Sequence, residues 1–265
     1  MKHHFSARLV HADQIDEVTF HHVYWAPPIA RDAQPGQFLH IRVSSSEAPL
    51  LRRPLSILWS DFHEKVEILF KVVRKGTALL AAKRVGENVD IVGPLGTPFP
   101  YDFSRDAVCV AGGYGIAPVC FLARANVSEH NRRLLLYGAR TANAIYLRPE
   151  WRAAFDEIVI TTEDGSLGRR GLVTDCLRDV LVARRNVAVY ACGPTPMLAA
   201  VAGCVAQFAE PGTPCFVSLE NRMGCGVGAC LGCIVPTRSG MATTCKDGPV
   251  FPAAEIKFEE LLVQG

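Results

Sequence analysis

Hydrophobic residues in the first hundred positions fall into short alternating or β-branched segments, at 7–11, 17–25, 37–43, 54–59, 65–73 and 87–92. Turn-forming residues separate them: Pro27-Pro28, Pro35-Gly36, the polar stretch 44–49, Gly76 and Gly93-Pro94. A period of two marks half-buried strands, and several such strands with regular turns predict a small antiparallel barrel. One helix fits at 77–83, opened by Thr77 and closed before Gly86. Near residue 104 the pattern changes. Apolar runs at 107–111, 133–137, 157–161 and 187–191 alternate with helical stretches, one starting near Pro118 and others at 143–155, 172–182 and 195–208. Strands alternating with helices predict a doubly wound parallel sheet. From 213 the periodicity fades into a Gly- and Cys-rich stretch that closes with an amphipathic tail at 253–263. Three regions are expected: a barrel over 1–102, an α/β domain over 103–212 and a cysteine-rich module over 213–265.

Composition narrows the function. The chain has 265 residues, 49% of them hydrophobic and 20% charged, enough for real cores and too apolar for a disordered chain. A net charge of +2, with Lys and Arg scattered, gives no field for nucleic acid or an anionic membrane. Two uncharged runs, 107–123 and 187–209, approach membrane-spanning length, but both contain Gly and Pro and fit strand–turn–helix units, so no membrane span is expected. The start, MKHHFSARLV, has no apolar core or cleavage pattern of a secretory signal. A cytoplasmic chain is expected, in which thiols serve metal or redox chemistry rather than disulfides.

Ten cysteines are present, and four of them, Cys225, Cys230, Cys233 and Cys245, crowd into 225–245. The opening C-x4-C-x2-C matches the plant-type ferredoxin spacing, and four thiolates are the ligand set of a [2Fe–2S] cluster. Gly224, Gly226, Gly228 and Gly232 interleave them, allowing backbone N–H groups to approach the sulfurs. The alternative is structural zinc, although zinc modules more often pair two C-x2-C knuckles and only Cys230 and Cys233 have that spacing. Cys109, Cys120, Cys176, Cys204 and Cys215 read as small core residues. The pairs His3-His4 and His21-His22 lie in or near strands without an acidic cluster and read as surface or barrel packing.

Two turns suit nucleotides. Gly112-Gly113-Tyr114-Gly115 follows an apolar strand and leads into a helix, where glycines let a pyrophosphate approach the helix N-terminus. It is not the G-x-G-x-x-G fingerprint, because Pro118 takes the last glycine's place. A second strand ends at Cys192-Gly193-Pro194, where Cys192 either faces a nicotinamide ring or packs before a tight turn. In the barrel, Arg52 and Arg53 stand at a strand start and can grip a pyrophosphate, Ser56 can bond a flavin edge, and Gly76-Thr77 opens the short helix. Glu163-Asp164 follows the third α/β strand, where a carboxylate can bond ribose hydroxyls and repel a 2′-phosphate; Arg140, Arg169 and Arg170 pull the other way.

The motifs Arg53-Pro54-Leu55-Ser56, Gly76-Thr77, Gly112-Gly113-x-Gly115-x-Ala117-Pro118 and Cys192-Gly193-Pro194-x-x-Met197 occur in the order of ferredoxin reductase-type flavoproteins. Glu220-Asn221-Arg222-Met223-Gly224-Cys225-Gly226-x-Gly228-x-Cys230-x-Gly232-Cys233, with Cys245-Lys246-Asp247-Gly248-Pro249-Val250-Phe251 after it, resembles the electron-transfer subunits of the two-protein, NAD-dependent (class B) dihydroorotate dehydrogenases. The resemblance spans essentially the whole chain. It implies a subunit holding FAD and a [2Fe–2S] cluster, with NAD as electron acceptor, paired in a heterotetramer with an FMN-containing catalytic subunit that oxidises dihydroorotate to orotate in pyrimidine biosynthesis. By resemblance, Arg53, Pro54, Leu55 and Ser56 contact FAD; Lys71, Val72 and Val73 run beside its ring; Gly76 and Thr77 bind its pyrophosphate. Gly112, Gly113, Gly115, Cys192 and Gly193 frame the nicotinamide site, with Tyr114 where the family usually has Gly or a small aliphatic residue.

Related readings are a diaphorase subunit of another iron–sulfur flavoenzyme (hydrogenase, sulfide dehydrogenase or transhydrogenase type) and a stand-alone oxygenase reductase, whose fourth cluster ligand normally lies far later than eleven residues on. A zinc-stabilised, non-enzymatic module is the reading from a different class. No nucleophile–base constellation for acyl or phosphoryl transfer is present in the sequence.

Overall fold

The alternating segments of the first hundred residues close on themselves. In the computed structural model, which describes residues 1–263 apart from 45, 47 and 127–130, strands β1 (His3–Gln14) and β2 (Thr19–Trp25) begin the barrel. The short helix α1 (Pro27–Asp32) leads to β3 (Phe38–Ile41), β4 (Arg53–Ser60) and β5 (Lys65–Lys71), and α2 (Lys75–Ala81) leads to β6 (Asn88–Leu95). The strand order is β1-β2-β5-β4-β3-β6, with β6 paired back to β1 and every pair antiparallel. Closure removes sheet edges and gives each strand one inner face, filled by Leu9, Tyr24, Leu39, Ile41, Ile57 and Ile68.

Pro27-Pro28, expected to act only as punctuation, starts α1. Proline suits the first helical turn, because its fixed φ is helical and the missing N–H has no partner there anyway. The helix expected at 143–155 is instead a 3₁₀ turn at 142–144 and the single-turn α4 (Pro149–Arg152), because Pro149 cannot continue a helix that began before it.

The second half is a seven-stranded sheet. β7 (Asp106–Gly112), α3 (Ile116–Ala125), β8 (Arg133–Ala139), α4, β9 (Glu157–Thr162) and the two-residue β10 (Arg169–Arg170) run outward on one side. After α5 (Val173–Ala183) the chain returns to place β11 (Val187–Cys192) on the other side of β7, followed by α6 (Thr195–Phe208) and β12 (Cys215–Ser218). The order is β10-β9-β8-β7-β11-β12-β15, parallel throughout except for β15 (Val250–Pro252), which runs against β12. The direction of winding reverses between β7 and β11, and the crevice at such a switch point is where ligands enter open α/β sheets. The uncharged runs 107–123 and 187–209 are β7 with α3 and β11 with α6. Among the described residues no helix is long and apolar enough to cross a membrane.

β12 and β15, both from the stretch expected to form a separate module, belong to this sheet. The cysteine loop and the hairpin β13 (Ile234–Thr237) and β14 (Gly240–Thr243) are thus an insertion between two sheet strands, followed by α7 (Phe258–Val263). The inserted loop is fastened to the barrel: Thr97 N donates to Gly248 O at 2.6 Å and Thr97 Oγ1 to Val250 O at 3.1 Å. Phe121 of α3 sits in the barrel's own core cluster, so barrel and sheet share buried surface.

Candidate functional site

Strand β4 builds the first cavity. Its register sets Pro54 opposite His40, Leu55 opposite Leu39 and Ser56 opposite Phe38. Pro54, Leu55 and Ser56 then border a cavity of about 260 Å³, closed by Lys71 at the end of β5 and Val73 beyond it, by Thr77 of α2, and by Tyr114 and Glu220 from the α/β half. Arg53 points to α2: a Cβ at Gly76 would lie 2.3 Å from Arg53 Nη2, so only glycine lets the guanidinium rest there. Thr77 is the third helical residue rather than the cap, and its Oγ1 accepts from Val73 N at 2.8 Å. Arg52 departs from expectation. Its guanidinium bonds Asp90 at 2.9 Å and leaves Arg53 as the cation at this strand start. Val72 lines neither this cavity nor the next, and its N–H donates to Val18 O at 2.7 Å.

The two glycine turns meet at the switch point. A Cβ at Gly115 would lie 2.0 Å from Cys192 O, one at Gly112 2.6 Å from Met197 Sδ, and one at Gly193 3.1 Å from Gly112 Cα. No side chain fits between these turns. Gly113 differs: its φ is +53° and its missing side chain would enter open space. That space is a second cavity of about 600 Å³, bordered by Gly112, Gly113, Arg140, Glu163, Pro194 and Met197, and also by Lys71. Lys71 borders both cavities, so they adjoin across it. Cys192 is buried and lines neither; burial holds its thiol well above the usual range, which keeps it neutral beside Ser218. The structure thus realises the packing alternative for this cysteine.

Tyr114, expected at the nicotinamide turn, lines the first cavity, and other lining residues had no role in the sequence reading. Tyr114 stacks on Tyr146 with ring centroids 4.9 Å apart. Glu220, exposed to the first cavity, has its carboxyl pushed upward by desolvation among the surrounding walls. Phe38 and Met223 border the same cavity and also pack with Cys233 and Cys245 in a small core. A pattern within ten or twenty residues carries no signal for such meetings; Phe38 and Met223 lie far apart along the chain.

Four thiols occupy the inserted loop. Positive φ at Gly226 (+72°), Gly228 (+85°) and Leu231 (+54°) wraps the chain so that its amides face inward. Val227 N and Ala229 N donate to Cys225 Sγ at 3.4 and 3.2 Å, and Gly228 N donates to Cys245 Sγ at 3.1 Å. Burial raises the Cys225 thiol, but those amides and Cys230 outweigh it and bring it down to about 6; Cys245, buried beside Cys233, is pushed up to about 12. Cys225 lies beside Cys230 and Cys245 beside Cys233, with Cys225 close enough to act on Cys245 as well. A binuclear cluster takes four thiolates, two at each iron, so this donor set fits [2Fe–2S]. Cys233 and Cys245 are buried; Cys230 is exposed, with Val227 and Leu231 exposed beside it.

The remaining thiols are core residues as expected: Cys109, Cys120, Cys176 and Cys204 are buried and Cys215 is half-buried. The paired histidines find separate partners, His3 with Asp32 at 2.7 Å, His4 with Asp90 at 2.6 Å, His21 with Glu67 at 2.9 Å and His22 with Tyr24 at 2.9 Å.

Known proteins align with this arrangement. Residues 220–257 match the family model for the iron–sulfur cluster binding domain of dihydroorotate dehydrogenase B, and residues 109–203 match the oxidoreductase NAD-binding domain. The dihydroorotate dehydrogenase B (NAD(+)) electron transfer subunit of Bacillus caldolyticus is 43% identical over 232 residues, 84% of this chain and 86% of its own. That of Desulforamulus reducens is 37% identical over 261 residues, covering 96% and 98%. Among solved structures, an NADH-dependent reduced ferredoxin-NADP oxidoreductase studied for flavin-based electron bifurcation superposes with a TM-score of 0.86 at 30% identity, covering 98% of this chain and 92% of its own. A ferredoxin reductase of carbazole 1,9a-dioxygenase shares the fold, with a TM-score of 0.67 at 22% identity over 80% of this chain and 68% of its own. With two relatives this similar over most of its length, the chain belongs to the family of dihydroorotate dehydrogenase B electron transfer subunits.

Proposed function

We propose that this chain relays electrons from the FMN of a dihydroorotate-oxidising catalytic subunit to NAD⁺, using FAD and a [2Fe–2S] cluster. One observation carries the reading: three sites adjoin in a line. Phe38 and Met223 touch both the buried cysteine pair and the first cavity, and Lys71 borders both the first cavity and the second. A flavin exchanges single electrons with a cluster and electron pairs with a nicotinamide, so the middle place is its natural one.

In this reading Arg53, beside Gly76, neutralises the FAD pyrophosphate, while Pro54, Leu55 and Ser56 hold the ring edge and Lys71, Val73 and Thr77 close the cavity around it. Val72 and Cys192 support these walls from behind. Gly112 and Gly113 bring bare backbone to the nicotinamide nucleotide, Gly115 and Gly193 let the two turns pack together behind it, and Cys225, Cys230, Cys233 and Cys245 hold the cluster. The exposed Cys230 corner, with Val227 and Leu231, is the side at which the catalytic subunit approaches. We place the complex in the cytoplasm as a heterotetramer, with units 1–102, 103–212 and 213–265, the last sharing its sheet strands with the second.

The test is co-expression with the catalytic partner, followed by an assay of dihydroorotate-dependent NAD⁺ reduction and a mass measurement of the complex. Activity only in the pair, lost on Cys233→Ser, is expected. Undiminished NAD⁺ reduction in that variant removes the cluster from the route, and a partner-independent reductase with no response to dihydroorotate favours another iron–sulfur flavoenzyme.

A further inference from the structure

Strand β3 has two faces. Leu39 and Ile41 point into the barrel, so by alternation Phe38 and His40 point out of it, where a barrel strand normally meets water. Here they do not. Both are buried, Phe38 against Cys233 and Cys245 and His40 under the cysteine loop.

His40 is fully shielded from solvent, yet neither Nδ1 nor Nε2 has a hydrogen-bond partner among the described residues. An unpaired buried polar group costs about 1–3 kcal/mol, so a protein keeps one where something else completes it. A histidine ring carries at least one N–H whatever its charge, so a donor is present. Two features fix what this donor faces. A Cβ at Gly226 would stand 2.5 Å from Nδ1, so the glycine after Cys225 lies directly on the ring. The ring also stands by the Cys225 and Arg52 backbones, although neither meets it as a hydrogen bond. On its other side His40 pairs with Pro54, the strand residue that borders the first cavity.

We propose that His40 is a positioning residue of the iron–sulfur site: its ring N–H donates to the Cys225 carbonyl in the cluster-loaded protein and clamps the Cys225–Gly226 turn onto β3. The clamp holds the Val227 and Ala229 amides at their distances from Cys225 Sγ. Hydrogen bonds to ligand sulfur stabilise the reduced cluster, so loosening them lowers its potential. The inference rests on the [2Fe–2S] assignment above.

The test is an anaerobic redox titration of the FAD- and iron-loaded protein, followed by EPR of the reduced cluster. His40→Phe keeps a flat ring and removes the donor; His40→Asn keeps a donor near Nδ1. The Phe variant is expected to shift the cluster's one-electron equilibrium roughly tenfold toward the oxidised form, about 59 mV, with a broadened EPR line and unchanged flavin content, and the Asn variant to recover most of the shift. A Phe variant with the wild-type potential and line shape overturns the inference and leaves the cluster assignment intact. A wild-type protein that binds zinc and no iron overturns both. If the Phe variant does not fold, a crystal structure of the iron-loaded wild type decides: a ring nitrogen within about 3.2 Å of Cys225 O supports the clamp, and one left without that contact overturns it.

Discussion

The Tyr114 hydroxyl lies 2.6 Å from Thr19 Oγ1, joining the glycine turn of the sheet to the first hairpin of the barrel. The bond belongs to a chain of hydroxyls. Tyr146 OH stands 3.1 Å from Tyr114 OH, and Thr19 Oγ1 donates to Asp16 Oδ2 at 2.8 Å. Desolvation raises the Asp16 carboxyl, but the Val18 and Thr19 amides and the Thr19 hydroxyl outweigh it and keep it ionised and accepting. Tyr114→Phe removes the middle of the chain while preserving the stacked ring. It is expected to cost about 1–2 kcal/mol of stability, read as a lower urea midpoint of the FAD-loaded protein, with flavin stoichiometry unchanged. An unmoved midpoint means that the tie contributes nothing.

Much of this fold is written locally, and the exceptions are those that depend on distant partners. Alternation exposed the six barrel strands because each has one inner face, and the strand–helix rhythm exposed the sheet because its strands are buried on both faces. The ligand cysteines were legible for the same reason: a loop that wraps a cluster puts its donors at short, fixed intervals. β12 and β15 escaped because each is a short run set in the Gly- and Cys-rich stretch after 213, where no periodicity frames it. Tyr114, Glu220, Met223 and His40 each gain their meaning from a neighbour on another element. Arg52 shows the converse: beside Arg53 it looks like half of a phosphate grip, yet Asp90, thirty-eight residues on, claims it.

Two glycines of one turn are expected to answer substitution differently. At Gly115 a methyl would meet the Cys192 carbonyl at 2.0 Å and Gly193 N at 2.9 Å, both backbone atoms that cannot swing aside. Gly115→Ala therefore separates the two turns and is expected to cost about 1–3 kcal/mol. At Gly113 there is room, and the cost is the left-handed φ alone, about 1–2 kcal/mol. The methyl of Gly113→Ala also projects toward the nucleotide cavity, so NAD⁺ affinity is expected to fall while FAD stays bound. Titration of NAD⁺, which cannot reduce the flavin, into both oxidised variants reads the difference; equal, wild-type affinity in Gly113→Ala contradicts the placement of the nucleotide.

The barrel carries an acid-sensitive group in His22. The ring is fully buried, edge-on to Phe70 at 4.9 Å, with the Tyr24 hydroxyl as its one partner among the described residues. Burial, then the charges of His21 and His11, hold its pKa down to about 4 against an ordinary value near 6.5. The unfolded chain therefore takes up the proton first. The contribution of His22 is intact above pH 6.5 and is lost as pH falls from 6.5 toward 4, up to about 3 kcal/mol in all. Urea midpoints at pH 7.5, 6 and 5 should decline, and His22→Phe should flatten that decline. A wild-type midpoint that holds steady down to pH 5 refutes it.

Nucleotide choice comes down to two charges. Of the candidates, Asp164 is turned away, its Oδ1 accepting from Ser166 N at 3.0 Å, and Arg169 is tied to Asp179 at 2.7 Å. The Arg170 stem packs over Gly165. Glu163 and Arg140 alone among these acidic and basic residues border the second cavity. A carboxylate there bonds the adenosine ribose hydroxyls and repels a 2′-phosphate, whereas Arg140 favours the phosphate. The carboxylate prevails where it stands nearer the 2′ position, and kinetics tests that. The complex is expected to use NADH far better than NADPH. Glu163→Gln should narrow that preference about tenfold, corresponding to roughly 1.4 kcal/mol, mainly through a lower KM for NADPH. Arg140→Ala should widen it. Equal kcat/KM for the two nucleotides in the unmodified protein would show that neither charge reaches the 2′ position, and would move the adenosine away from Glu163 altogether.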